Sequence, residues 1–160
     1  MESVGDFGEF YRREYGRAVV TIALALGDRD RAEEVVQEAF SRAYRRWRSV
    51  GRMDRPDAWV VVVALNAERR RFRRDSRTVP PTETRVSAVD HASMVVARVA
   101  VTEALAELTD RQRAVVVLRY LADLPFADVA AALGCAEGTA RATLHQAMQK
   151  LRVELADEEP

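Results

Sequence analysis

Gly134 stands between two stretches of helical period, and no other residue constrains the fold of this chain as tightly. Counted from Phe126, Val129 and Leu133 fall on one inward face, and Ala130 is small enough to let a second helix approach closely. Gly134 then supplies the left-handed backbone that a residue without a Cβ adopts most easily. Beyond it, Cys135, Ala140 and Leu144 make the buried side of a second helix, which leaves Glu137, Arg141, Ala142 and His145 on the opposite face. Two helices crossing at such a turn form a helix-turn-helix, whose second helix enters a DNA major groove. An ordinary helical hairpin with the same small-residue crossing is the competing reading.

Net charge does not decide between them, because 25 basic residues balance 25 acidic ones. Its distribution does favour DNA. From Ala39 to Arg77 there are twelve arginines against four acids, at 54, 57, 68 and 75, and a local excess of that kind attracts phosphate. Cys135 is the only cysteine, which excludes an internal disulfide and a thiolate zinc site and fits the cytoplasm. His91 and His145 are far apart with no ligand pair beside either, so no metal is expected, nor any cofactor. No nucleophile and base stand together, and no catalytic residue is expected. The first residues lack the basic start and apolar core of a signal peptide, and the longest apolar run, 58–65, is far below the roughly 20 residues that cross a bilayer.

The rest of the chain reads as helices. Phe7, Phe10, Tyr11, Tyr15 and Ala18 recur at helical spacing until Gly27 stops the pattern, and Asp28 or Asp30 can cap the next helix. In that second helix Ala32, Val36, Ala39, Phe40, Ala43 and Trp47 form the apolar stripe, and Glu33, Glu34, Gln37, Glu38, Arg42 and Arg45 face outward. Gly51 and Pro56 bracket a loop. A third helix starts at Pro56 or Asp57 and runs to Arg74, although four consecutive valines at 60–63 would also suit a strand. Trp59, among apolar neighbours, reads as core. Arg69, Arg70, Arg71, Arg73 and Arg74 circle much of that helix, so several should meet phosphates. Periodicity fades from Asp75 to Ser93, where Thr78 to Thr84 looks like an extended polar linker and marks a domain boundary. It resumes at Met94 and Ala97, and Thr109 with Gln112 has the form of a capping box. The acidic end reads as a solvated tail. The expected fold is therefore all-α: two small helical domains joined by a flexible linker, the second containing a helix-turn-helix, with no large apolar interface between them.

In this order and separation, the segments resemble the extracytoplasmic-function sigma factors of bacterial RNA polymerase, a group of the sigma-70 family, over nearly the whole chain. Residues 28–47 look like the family's polymerase-clamp-binding segment, and Asp57-Ala-Trp59 followed by Asn66 looks like its promoter-melting segment. Residues 108–120 and Glu137-Gly-Thr139 look like the domain that reads the upstream promoter element. The resemblance implies a region 2-like domain at 1–75, a linker at 76–93 and a region 4-like domain at 94–160. It assigns Glu34, Gln37, Glu38, Arg42 and Arg45 to core polymerase, and Arg52, Asn66, Arg69, Arg70 and Arg73 to the melted minus-10 element. Glu137, Thr139, Arg141, Ala142 and His145 fall to the minus-35 element. The implied partners are core polymerase, promoter DNA and an anti-sigma factor. The sequence departs from the family pattern at Val61 and Val62, where members commonly carry arginine, at Ala136, where serine is usual, and at Thr143 and Gln146, where lysine or arginine is common. Fewer or different DNA contacts follow from these changes. Two further readings stand beside this one: a free-standing helix-turn-helix regulator, and an interaction protein that binds an anti-sigma partner but has lost its promoter.

Overall fold

Several helix ends are fixed by residues well suited to them, among them Gly27, Asp28, Thr109 and Gly134. The computed structural model describes residues 3–75 and 96–157, and these hold eight helices and no strand. The expected linker at 76–93, with His91, and Met94 lie outside the described residues, as does the acidic end at 158–160. Helix α1 (Ser3–Leu26) ends at Gly27, where the sequence pattern stops, and Gly27 takes the left-handed conformation with a φ of 70°. Helix α2 (Arg29–Arg45) is capped by Asp28, whose Oδ1 accepts from the Arg31 N–H at 3.1 Å. A single turn, α3 (Trp47–Val50), follows and was not anticipated; it takes Trp47 off the α2 stripe and leaves it half-buried. Trp47 still closes an aromatic cluster, 5.3 Å from Phe7 and 5.1 Å from Phe10 between ring centroids.

Helix α4 (Pro56–Asp75) carries the four valines as helix. Val60, Val61, Ala64, Leu65 and Ala67 are buried against α1 and α2, and that burial outweighs the weak β preference of the side chains. Trp59, read as core, is half-buried and packs on the same cluster. Helix α5 (Val96–Ala106) leads to α6 (Asp110–Tyr120), which starts on the expected capping box: Thr109 Oγ1 accepts from the Gln112 N–H at 3.2 Å, and Gln112 Oε1 accepts from the Thr109 N–H at 3.1 Å. The helix-turn-helix consists of α7 (Phe126–Leu133) and α8 (Glu137–Asp157), with Gly134 at φ 66° between them. Val129, Ala130 and Ala140 are buried, and Leu133, Cys135 and Leu144 are half-buried.

The two halves pack on one another, which corrects the expectation of no large apolar interface. Every residue of α6 from Gln112 to Leu118 is buried. Its Val115 and Leu118, with Leu124, Val129 and Ala130, share one core with Ala18, Ile22, Val36 and Val61 of the first half. Its Ala114, Val116 and Val117 face a second core with Leu105, Leu108 and Ala147, to which Ala25 of α1 is added. The sequence showed an apolar α6; it did not show that one side would meet α1 and the other α8. Leu118→Ala should cost about 2–5 kcal/mol in chemical denaturation. Hydrogen exchange should then quicken in α1 as well as in α6, whereas unchanged protection of α1 would mean that the halves are stable separately.

Candidate nucleic-acid interface

The outer face of α8 is built by register. Ala140 and Ala147 turn into the protein, so Glu137, Arg141 and His145, four residues apart, line the opposite side, and Thr139 and Ala142 flank them; all five are exposed. Gly134 delivers this face by ending α7 and letting α8 start within three residues. The Arg141 guanidinium lies over the Phe126 ring, 4.3 Å from its centroid, and Arg119 approaches the same ring at 5.5 Å. Phe126 was read only as the first position of the motif, and no sequence signal marked it as the platform for Arg141. Ala136 supplies no side-chain hydroxyl for the start of α8, in keeping with the noted departure.

On α2 the residues expected to meet polymerase form one outward stripe. Glu34, Gln37, Glu38 and Arg45 are exposed and Arg42 is half-buried. Arg42 donates to Glu38 at 2.6 Å one helical turn away, and Glu34 is paired with Arg71 of α4. Gln37 and Arg45 also line an open groove of about 470 Å³ walled by Phe7, Tyr11, Phe40 and Tyr44.

The basic residues expected at the minus-10 element divide. Arg52 lies exposed in the turn after α3, and Arg70 and Arg73 are exposed on the last turns of α4. Asn66 and Arg69 are brought together, with Arg69 Nη2 donating to Asn66 Oδ1 at 2.8 Å. Both are only half-exposed, and the Gly134 turn lies against Arg69. Val61 is buried and Val62 half-buried, so an arginine could not simply replace Val61 in this packing. Two arginines join the halves: Arg55, which the sequence counts in its phosphate-attracting excess and whose loop the resemblance places beside the unwound strand, and Arg113, which the sequence does not single out. Arg55 donates to the carbonyls of Asp123 at 2.7 Å and Ala122 at 2.8 Å, and the buried Arg113 donates to the carbonyl of Ala25 at 3.4 Å. Asp123 has a φ of 52°, a left-handed backbone that aspartate tolerates better than most residues.

Asp57 holds Arg55 in place through a 2.9 Å ion pair. Burial pushes the Asp57 carboxyl up, but the hydrogen bond and charge of Arg55, with backbone N–H donors, outweigh it and hold the group below its ordinary range. The same hydrogen bond raises Arg55 above its already high value. Among the described residues no group of histidine, cysteine and carboxylate side chains could hold a metal, and no helix is long and apolar enough to cross a membrane.

A helix-turn-helix with an open polar reading face, joined to a helical half that ends in an arginine-rich helix, defines a DNA-reading protein of two parts. The model for Sigma-70 region 2 matches residues 11–78, and that for Sigma-70, region 4 matches residues 98–151. The chain is 32% identical over 157 residues to the RNA polymerase sigma-E factor of Streptomyces coelicolor, covering 97% of this chain and 89% of that protein. It is 34% identical over 152 residues to the ECF RNA polymerase sigma factor SigL of Mycobacterium tuberculosis, covering 90% and 86%. Its fold is similar to that of the sigma factor RpoE from Bartonella quintana, solved in complex with the anti-sigma factor NepR, with a TM-score of 0.75 at 21% identity over 98% of this chain and 100% of that one. CnrH, solved with the cytosolic domain of CnrY, gives 0.59 at 25% identity over 96% and 89%. The chain belongs to the extracytoplasmic-function sigma factors of the sigma-70 family, which direct bacterial RNA polymerase to specific promoters and assist their opening.

Asp57 makes one property of this arrangement dependent on pH. A carboxyl whose pKa is lowered by folding adds stability that is present above its ordinary pKa, near 3.8, and is lost as pH falls through the lower folded value. Between about pH 5 and about pH 2 the native chain should therefore lose more stability than Asp57→Asn in parallel denaturation curves. The difference should be modest, because the two side chains are 41% and 40% exposed. Superimposable pH profiles would show that folding does not hold this carboxylate.

Proposed function

We propose that the chain performs its sigma function through three separate surfaces, with residues 1–75 acting as the region 2-like unit and 94–160 as the region 4-like unit. The linker at 76–93 would span the two on polymerase. The observation that carries the reading is the register of α8: burial of Ala140 and Ala147 leaves Glu137, Thr139, Arg141, Ala142 and His145 together on one exposed face at the start of a recognition helix. That face reads the minus-35 element, with Arg141 held ready over Phe126.

The stripe of Glu34, Gln37, Glu38, Arg42 and Arg45 docks on core polymerase, and the aromatic groove beside it gives that interface an apolar centre. Arg52, Asn66, Arg69, Arg70 and Arg73 meet the unwound minus-10 strand, where turning a base out of the stack costs a few kcal/mol that edge contacts and phosphate neutralisation offset. The work is recognition: the chain carries no catalysis of its own, acts in the cytoplasm, and is held inactive by an anti-sigma protein. The solved complex of the similar sigma factor with NepR supports that last reading by likeness.

Transcription in vitro with core polymerase tests the scheme as a whole. Exchanging the charges in the double variant Glu38→Arg, Arg42→Glu preserves an ion pair at the same spacing, so stability should change by less than about 0.5 kcal/mol. Affinity for core polymerase should nevertheless fall in a titration; unchanged affinity removes this stripe from the interface. Arg141→Ala should relax preference at one upstream base pair by about 1–3 kcal/mol if the guanidinium reads a base edge. A uniform loss across single-base promoter variants at fixed salt would place it on phosphate, and no effect would remove it from the site.

A further inference from the structure

Arg141 is the only lysine or arginine between Glu137 and Gln146, so the cationic attraction of the exposed face at the start of α8 rests on how this one guanidinium is held. It is held by Phe126. That residue opens α7 directly after Pro125, is half-buried against the core, and meets the guanidinium carbon of Arg141 4.3 Å from its ring centroid. Among the described residues Arg141 makes no hydrogen bond or ion pair, so the ring contact positions it while its N–H donors stay open. Arg119 meets the same ring from farther off, at 5.5 Å, and its Nη1 lies 3.6 Å from Asp123 Oδ1. Asp123 therefore balances Arg119, and the charge beside Phe126 that is left for DNA is that of Arg141.

We propose that Phe126 is a specificity-determining positioning residue, which holds Arg141 against its ring so that the guanidinium donors meet one upstream base pair, a guanine, instead of a neighbouring phosphate. The inference rests on the reading of the α8 face as the minus-35 contact and adds the residue that decides what Arg141 does there. An aromatic ring attracts a guanidinium electrostatically and uses up none of its donors. Guanine O6 and N7 offer two acceptors side by side in the major groove, the match for a planar fork of N–H groups. An arginine that is not held reaches phosphates as readily as bases, and a phosphate contact adds affinity without preference. The ring comes from α7 and the guanidinium from α8, so the Gly134 turn that sets the two helices also sets this pair.

The test uses the full chain bound to core polymerase, on promoter duplexes that differ at single upstream base pairs, at fixed salt. Phe126→Leu and Phe126→Met remove the ring and keep an apolar side chain on the core. A cation held over a ring at an exposed site corresponds to about two- to fivefold. Both variants should lose about that factor of discrimination at one base pair, the pair at which Arg141→Ala loses it, and keep the native preference elsewhere. Phe126→Tyr keeps the ring and should restore the preference. In Arg141→Ala the ring has nothing to hold, so adding Phe126→Leu should relax the preference no further. Unchanged preference in the ring-free variants, a loss of affinity that is alike for all sequences, or a Phe126→Tyr chain that behaves like Phe126→Leu each overturns the proposal, as does a preferred base other than guanine at that pair. Arg141→Ala separates the proposal from the reading beneath it. If that variant relaxes preference at one base pair while Phe126→Leu and Phe126→Met do not, only the role of the ring falls; if it changes nothing, the reading of Arg141 falls with it.

Discussion

A helix that is apolar on nearly every side has no stable place at a surface, and the arrangement of this sigma factor follows from that constraint on α6. Val115 and Leu118 need cover on one side, Ala114, Val116 and Val117 on the other. Within the second half α8 and the residues leading into α6 cover one side, and Leu124, Val129 and Ala130 reach only part of the other. The remaining side is met by α1, through Ala18, Ile22 and Ala25, at the cost of fixing how the halves lie. The helix-turn-helix is thereby carried to the α4 surface, where Gly134 and Arg69 meet. The position of the exposed α8 face, the cover over Arg69 and the Arg55 crossing are consequences of one doubly buried helix.

The helices were legible in the sequence where a local rule governs them. Gly27 and Gly134 stop helices because they take positive φ, Asp28 and Thr109 cap because their oxygens reach free N–H groups, and the exposed stripe on α8 follows from the spacing of Ala140 and Ala147. The single turn from Trp47 to Val50 was missed, since nothing in Arg46 signals the break that follows α2. The contact between halves was missed for a different reason. It depends on which apolar face finds which partner, and residues 25 and 113 are joined only by folding. Periodicity reports that a face is apolar and is silent about what covers it.

The arginines show the same limit in electrostatic terms. A run of twelve suggested one DNA-facing patch, and the structure gives them different tasks. Arg55 and Arg69 reach the second half, Arg71 pairs with Glu34, Arg42 pairs with Glu38, and Arg52, Arg70 and Arg73 lie exposed. A guanidinium can satisfy backbone carbonyls, carboxylates or phosphates with the same donors, so composition cannot apportion them. Neighbouring geometry does: Arg55 is committed because Asp57 orients it and the left-handed Asp123 presents its carbonyl.

The crossing from Arg113 to the Ala25 carbonyl spans 88 residues of sequence, and it bears on how the chain is made. Synthesis proceeds from the amino terminus at about 5–20 residues per second. The first four helices can therefore pack several seconds before α6 has left the ribosome. Throughout that interval the side of α1 that α6 will cover, around Ile22 and Ala25, meets water or whatever else is near. The seam that arranges the finished molecule is in the nascent one an uncovered apolar strip, open to chaperones and to neighbouring copies until the second half arrives.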